Sequence, residues 1–590
     1  MNIHKRILPL VIVLLALSCG DPVEPEPIKL VAQPSSLTFD AQGGTLDLTL
    51  TSGIKPTVTC TEAWIRLTEG PFANNSFKVS VTAQPYDGTS ERSTNLRVIG
   101  DKQSLMIPVS QSVPKVQMTV DKTSVSFDRL GGEAVLTVTS TTQPTVSSDV
   151  AWCVATAGTI DASHNTTVTL TAGANRTPSV SNGTVTITCG NDKVTVKISR
   201  EAMQAISTAT ATALTPELVF NTMAPGWNLG NQMDAIDNGV SSETAWKNPK
   251  CTQATFDGVK AAGFKAVRIC VTWEGHIGAA PGFQVETKWL DRVAEIVGYA
   301  EKAGLVAIVN THHDEWSWLD IAKAYNNATR NEQVKDELFS VWMQIANRFK
   351  DKGEWLIFES LNEIQDGDWG WGAVFQANPQ AQYKVLNEWN QVFVDAVRST
   401  GGYNATRWLG VPGYAASPMF TIAGLVLPKD YTSENRLMVA VHDYDPYNYT
   451  LDKENFVRRF GHTAERSLRC ADDDEAGLRW TFDQLKTTYV DKNIPVYLGE
   501  MGCSRPAAED YPYQKYYIEY FCKAASDRLL PLYVWDNGAK GTGPECHSYI
   551  DHATGAFVDD KAKELVGLIL KAVTTQDPDY TLESVYNSAP

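Results

Sequence analysis

Two periodicities divide the chain. Up to about residue 200, apolar and polar residues alternate, as in Thr45-Leu46-Asp47-Leu48-Thr49-Leu50 and Glu133-Ala134-Val135-Leu136-Thr137-Val138. A period of two puts every second side chain on one face, which predicts half-buried β-strands. Thr, Val and Ser dominate and Gly, Asn and Asp turns intervene, the pattern of small β-sandwiches. From residue 214 the texture changes. Short apolar runs alternate with amphipathic helical runs, which predicts βα units and a parallel sheet. Strands are expected at 226–230, 266–273, 306–312, 355–361, 407–411, 437–442, 496–500 and 531–535, with helices such as 253–262, 289–303, 332–349, 383–399 and 513–525 between them. Eight units in about 370 residues predict a (β/α)8 TIM barrel with enlarged loops. A doubly wound open sheet is the runner-up, but no glycine-rich dinucleotide loop stands at any βα turn.

The first third repeats itself. Phe39, Gly43-Gly44, Pro56-Thr57-Val58 and Trp64 recur as Phe127, Gly131-Gly132, Pro144-Thr145-Val146 and Trp152, at one constant offset. The expected fold is therefore multidomain: two Ig-like β-sandwich modules, 30–113 and 114–200, followed by a TIM barrel over 214–577. Residues 201–213, rich in small side chains, read as a linker. Phe-x-x-x-Gly-Gly, the central Trp, and Asn175-Arg176 in the second copy resemble tandem BACON domains of Bacteroidetes carbohydrate enzymes. Each copy has few aromatics, so a spacer role is favoured over sugar binding.

The N-terminus adds a location. Lys5 and Arg6 precede the apolar run Ile7–Leu17, too short to span a bilayer and ending at Ala16-Leu17-Ser18-Cys19. Residues 1–19 resemble a lipoprotein signal peptide with Cys19 as the lipid attachment site, and the acidic, Pro-rich stretch 20–29 reads as a tether. The expectation is a protein lipid-anchored in the outer membrane at the cell surface, touching membrane only through that lipid. Ordinary secretion is the alternative. A net charge of -17 repels nucleic acid but leaves a neutral polysaccharide unaffected. Ten cysteines without a CxxC pair indicate neither a disulfide framework nor zinc. A monomer without cofactors is expected.

In a TIM barrel the strand C-termini point at the active site. Polar and aromatic residues gather there: Trp227, Asn228, Arg268, His312, Asn362, Glu363, His442, Tyr444, Glu500 and Trp535. Packing would favour Val, Ile and Leu at such positions. Glu363 and Glu500 close the fourth and seventh runs, and two facing carboxylates are what cleavage of a glycosidic bond requires. Carboxyls about 5–5.5 Å apart imply a retaining mechanism and a wider gap an inverting one. A rival metal site built from His312, His313, Asp314 and His442 is disfavoured, because adjacent histidines on a strand diverge. On that reasoning His312 faces the site and His313 the wall.

The conjunction of Gly226-Trp227-Asn228-Leu229-Gly230-Asn231, Ser242-Glu243-Thr244-Ala245-Trp246, Val267-Arg268-Ile269, Asn310-Thr311-His312-His313, Leu361-Asn362-Glu363, His442-Asp443-Tyr444-Asp445-Pro446-Tyr447, Leu498-Gly499-Glu500 and Trp535-Asp536-Asn537-Gly538 resembles glycoside hydrolase family 5, closest to its subfamily four. The resemblance implies Glu363 as acid/base and Glu500 as nucleophile. It implies Arg268 beneath Glu500, Tyr444 bonded to Glu500, and Asn362 on the sugar 2-OH. His312 and His442 would line the cleaved-bond subsite, Trp535 would lie under the sugar, and Asn231 would support the substrate. The expected activity is retaining endo-hydrolysis of β-1,4-glucosidic bonds in xyloglucan, mixed-linkage β-glucan or cellulose. The alternatives are a catalytically silent glycan-binding lipoprotein and a mannan-specific hydrolase on the same barrel. Trp246, Trp273, Trp316, Trp318, Trp369 and Trp371 are candidate sugar-stacking residues, while Trp342 and Trp389 read as core.

Overall fold

The structure, a computed structural model, describes residues 28–590 except 89, 101, 116 and 117. The segment expected to be a signal peptide, Cys19 and most of the expected tether lie outside the described residues.

Each N-terminal repeat is a two-sheet sandwich of eight strands. In the first, one sheet runs Val31–Gln33, Gly44–Thr51, Ser76–Ala83, Ile65–Ala73 and the other Leu37–Phe39, Gln103–Gln111, Arg92–Gly100, Thr57–Thr59. The second repeats this order strand for strand. The paired glycines have a backbone reason. Gly43 and Gly131 adopt positive φ, and a Cβ would lie 2.3 Å from Ala83 O in one and 2.2 Å from Ala172 O in the other.

The remainder is a closed parallel barrel of eight strands: β1 (Gly226–Leu229), β2 (Ala266–Ile269), β3 (Val306–Asn310), β4 (Leu356–Glu359), β5 (Leu409–Pro412), β6 (Leu437–His442), β7 (Val496–Met501) and β8 (Leu532–Val534). The helices are α1 (Gln253–Ala261), α2 (Thr287–Ala303), α3 (Ala328–Phe349), α4 (Pro379–Ser399), α5 (Pro418–Gly424), α6 (Asp474–Thr488), α7 (Tyr511–Ser526) and α8 (Asp560–Thr574). Strand alternation builds two cores. Val267, Val309, Phe358, Val439 and Leu498 point outward to the helices. Ala266, Ile308, Ile357, Met438, Tyr497 and Tyr533 fill the interior. That interior is closed below by Leu214, Val219 and Met223, from the turn and short helix ahead of β1.

Several strands stop short of their sequence expectation. β2 ends at Ile269, β3 at Asn310 and β4 at Glu359. Beyond these ends side chains take over some of the ladder partners, while His312 N still donates to Val271 O at 2.8 Å. Asn310 Oδ1 accepts from Val271 N at 3.1 Å, Asp314 Oδ1 from Trp273 N at 3.0 Å, and Thr272 Oγ1 from His313 N at 3.0 Å.

The linker is not a free tether. Ala209 pairs with Thr432 in a parallel bridge. Ala211 N donates to Ser433 Oγ at 3.0 Å, Leu214 N to Asn435 O at 3.0 Å, and Arg436 donates to Thr212 O at 2.7 Å. Small side chains let this strap lie against the barrel rim. The second sandwich docks as well. Arg176 Nε donates to Asp336 Oδ1 at 2.6 Å and the same guanidinium pairs with Glu332, both acids on α3. Ala174 and Met203 pack on the barrel core. Among the described residues, no helix is long and apolar enough to cross a membrane.

Candidate active site

Alternation aims most of the site. On β2, β3, β4 and β6 the inward sequence ends in Arg268, Asn310, Glu359 and His442, stacked above the apolar interior. β7 breaks the rule. Tyr497 points inward and Leu498 outward, so Glu500 would face the helices if the alternation continued. The register between β6 and β7 slips instead: Val441 faces Leu498, and His442 faces Glu500. Gly499 is the extra residue of this bulge, and the bulge turns Glu500 into the mouth. Asn228 Nδ2 pins it by donating to Gly499 O at 2.9 Å.

Arg268, fully buried, joins the groups. It donates to Glu500 Oε1 at 2.8 Å, to Glu359 Oε1 at 2.7 Å and to Asn362 Oδ1 at 2.7 Å. Tyr444 OH donates to Glu500 Oε2 at 2.9 Å. His442 Nδ1 lies 2.7 Å from Glu363 Oε1 and 3.7 Å from Glu500 Oε1. One donor atom from each of Glu363, His442 and Glu500 falls within 4.8 Å of the others. His312 Nε2 stands 3.9 Å from Glu500 Oε1, its ring nearly parallel to that of Trp535, at 5° and 5.9 Å between centroids. Asn362 Nδ2 is buried with no hydrogen-bond partner. The structure thus gathers Glu363, Glu500, Arg268, His312, Asn362, His442, Tyr444 and Trp535. Asn231 is set apart. It holds a left-handed turn after β1, its N–H bonded to Asp234 at 2.9 Å, and no hydrogen bond links its side chain to the carboxylates.

The carboxylates differ electrostatically. Burial pushes Glu363 up to about 7, against the pull of His313 and Arg268. Burial also raises Glu500, where His442, Arg268 and the Tyr444 hydrogen bond oppose it. Arg268 is shared with Glu359, and Tyr444 supplies the other stabilising contact. Burial drives His442 down to about 4 and His312 well below its ordinary value, so both are neutral near pH 7. A neutral His442 can donate Nδ1–H to an ionised Glu363, or accept from the protonated acid in its other tautomer.

Two sequence readings need correction. Glu363 does not close β4: that strand ends at Glu359, and Glu363 lies four residues on, in the loop. Glu359 was passed over, although a lone acid in an inward register of an apolar strand was its signal. The divergence assigned to His312 and His313 also fails, because β3 has already ended and the chain turns into a 3-10 helix at His313–Trp316. The two rings meet edge-on at 4.4 Å, His313 stacks on Trp316 at 4.1 Å, and His313 Nε2 is 3.8 Å from Asp234 Oδ2. Among the described residues, Asp234, His312 and His313 form one group with metal-compatible spacing, and Glu363, His442 and Glu500 form a second. In the first, Asp234 already accepts from Asn231 N and Gln232 N.

Of the loop tryptophans, Trp316, Trp369 and Trp371 are exposed, Trp371 to 80%, whereas Trp273 and Trp318 are buried. Trp342 and Trp389 are core residues.

Comparison with known proteins agrees with this geometry. Residues 230–541 match the cellulase (glycosyl hydrolase family 5) model, residues 55–112 the BACON model and residues 117–202 the viral BACON domain model. The chain is 36% identical to endoglucanase A of Paenibacillus barcinonensis over 57% of its own length and 86% of that protein. A GH5-4 broad specificity endoglucanase from Bacteroides salanitronis is 48% identical with a TM-score of 0.60, covering 63% of this chain and 98% of that one. A Bacteroides ovatus GH5 xyloglucanase, solved with a XXXG heptasaccharide, is 27% identical with a TM-score of 0.57, covering 78% and 100%. The chain belongs to glycoside hydrolase family 5, with two BACON domains ahead of its catalytic barrel.

Proposed function

We propose that this protein is a retaining endo-β-1,4-glucanase acting on plant cell-wall glucans, with Glu500 as nucleophile and Glu363 as acid/base. The observation that carries the reading is the close approach of two unlike carboxylates, one oxygen of each within 4.8 Å of the other. That is near the separation of about 5–5.5 Å between the carboxyl groups of retaining enzymes, and short of the roughly 6.5–9.5 Å that an interposed water needs. Glu500 accepts from Arg268 and Tyr444, contacts that favour an ionised, oriented nucleophile. Glu363 is half-buried and desolvation favours its proton, as a donor to the leaving oxygen requires. After glycosylation the acid has lost its proton, and His442 at 2.7 Å supports the carboxylate while it activates water. Asn362, held by Arg268 through Oδ1, turns an unpaired Nδ2 donor to the site, suited to the sugar 2-OH. Trp535 offers an indole face as the floor, and exposed Trp316, Trp369 and Trp371 extend an apolar lining for further sugar rings.

The cell-surface reading belongs to the same proposal: a lipid on Cys19 and a tether hold a monomeric enzyme at the outer membrane. Among the described residues neither sandwich exposes a large aromatic to more than about a third, which supports a spacer role over a glycan-binding one.

The test is product release from xyloglucan, barley β-glucan, carboxymethyl cellulose and glucomannan, with proton NMR of the first anomer formed. Early β-anomer from a glucan supports the reading. Early α-anomer would remove the retaining mechanism. Faster release from mannan would favour the mannan-specific alternative, and binding without release would favour the silent one.

A further inference from the structure

We propose that Glu359, a third carboxylate beneath the other two, is a positioning residue of the hydrolysis: its negative charge shares Arg268 with Glu500 and so sets how much of that cation the catalytic pair feels. This rests on the roles proposed for Glu363 and Glu500.

The placement is elaborate for a mere counter-ion. Glu359 ends β4 with no solvent exposure. Its Oε1 accepts from Arg268 at 2.7 Å and from Asn310 Nδ2 at 3.0 Å, and its Oε2 accepts from Tyr497 OH at 2.6 Å. Arg268 Nε lies 3.1 Å from both oxygens. The barrel makes room for this. A Cβ on Gly410 of β5 would lie 2.2 Å from Tyr497 Oη, so a side chain there would displace the hydroxyl from Glu359. Each donor also leads to the site. Arg268 bonds Glu500 and Asn362, and Asn310 Nδ2 also meets His312 Nδ1 at 3.1 Å.

The charge arithmetic gives the consequence. Arg268 carries one positive charge and Glu359 and Glu500 one negative charge each, so the buried trio keeps a net negative charge. Glu500 does not own a private cation, which would tie up its lone pairs and weaken its attack. The same negative charge favours the proton on Glu363. Facing Glu359 are Arg268 on β2 and Cys270 just beyond its end, His442 on β6, Tyr497 on β7 and Tyr533 on β8. Of these only Arg268 is charged near pH 7.

Glu359→Gln in the full chain keeps the shape and removes the charge. The measurement is kcat/KM against pH on barley β-glucan and on an aryl β-cellobioside. On barley β-glucan both limbs should move to lower pH by about one unit, and on the aryl cellobioside, whose alkaline limb is flat, the acidic limb alone should do so, with kcat down about tenfold and KM changed less. Glu359→Asp, which keeps the charge, should leave the limbs near their wild-type positions. Carboxyl-carbon NMR of labelled glutamate, assigned with Glu500→Gln and Glu363→Gln, reads the same shifts without turnover. Should Glu359→Gln fail to fold, Tyr497→Phe strips a donor from Glu359 and leaves its charge less neutralised, so the limbs should move the opposite way, to higher pH. Unmoved titrations in a folded Glu359→Gln or Tyr497→Phe chain, or equal shifts in Glu359→Asp, would overturn the proposal. A failure of the hydrolase reading shows differently, as wild-type protein releasing no product while the NMR titration still decides the role of Glu359.

Discussion

A Cβ placed on Gly499 would stand 3.0 Å from His442 Nε2 and 3.1 Å from its Cδ2. The bulge that aims Glu500 therefore lies against the imidazole that meets Glu363. Gly499→Ala should push His442 away from Glu363, at a cost of about 1–3 kcal/mol from overpacking. The expected result is a fall in kcat of about tenfold or more, with the barrel still folded by circular dichroism. Unchanged kcat would mean that the histidine has more room than this contact implies.

Removing each carboxylate should have its own signature. Glu500→Gln should lose turnover on every substrate while binding oligosaccharide almost as wild type, since Arg268 and Tyr444 remain. Glu363→Ala should lose far more rate on polysaccharide than on aryl glycosides with good leaving groups, which need little protonation. Equal losses on both would reverse the assignment.

Burial holds the Glu363 proton up to about 7. A general acid works only while protonated, so kcat/KM on polysaccharide should fall as pH rises through about 7. The limb should flatten for an activated aryl cellobioside. A polysaccharide profile with no alkaline fall below about pH 9 would detach that limb from Glu363.

Trp371, in the loop beyond β4, is 80% exposed, with its ring 5.7 Å from that of Phe420 on α5. Little packing should be lost in Trp371→Ala. The expected effect is a several-fold rise in KM for long glucans, with little change for an aryl cellobioside. Equal effects on both substrates would place the indole outside the cleft.

Arg176 bonds Asp336 and Glu332 across the joint between the second sandwich and α3. Arg176→Glu would set three acids together. Differential scanning calorimetry should show a loss of about 1–2 kcal/mol, reduced by added salt, because the acids are half-exposed. A salt-independent loss would point to altered packing.

Much of this was legible from pattern. All eight barrel strands follow from short apolar runs between helical ones, because outward Val, Ile and Leu mark them whatever the loops do. The repeat at Phe39 and Phe127 gave two modules of one topology. Local patterns fail where a residue's direction depends on its neighbour. Gly499 reads as an ordinary strand residue, and only pairing with β6 shows the slip that turns Glu500 inward. His313 was misdirected because alternation was extended past Asn310, where Thr272 takes the next N–H. Glu359 was hidden by the more familiar acid four residues later. The partners of Arg176 lie more than 150 positions away, beyond any periodicity.

The strap at residues 209–214 changes where this protein can be cut. Starting a truncated chain at the barrel would strip Arg436, Ser433 and Asn435 of partners and leave the seat of Met203 empty. The natural seam for exchanging modules between such enzymes therefore lies upstream, between the two look-alike sandwiches. A barrel moved to another scaffold should travel with residues 118–213 still attached.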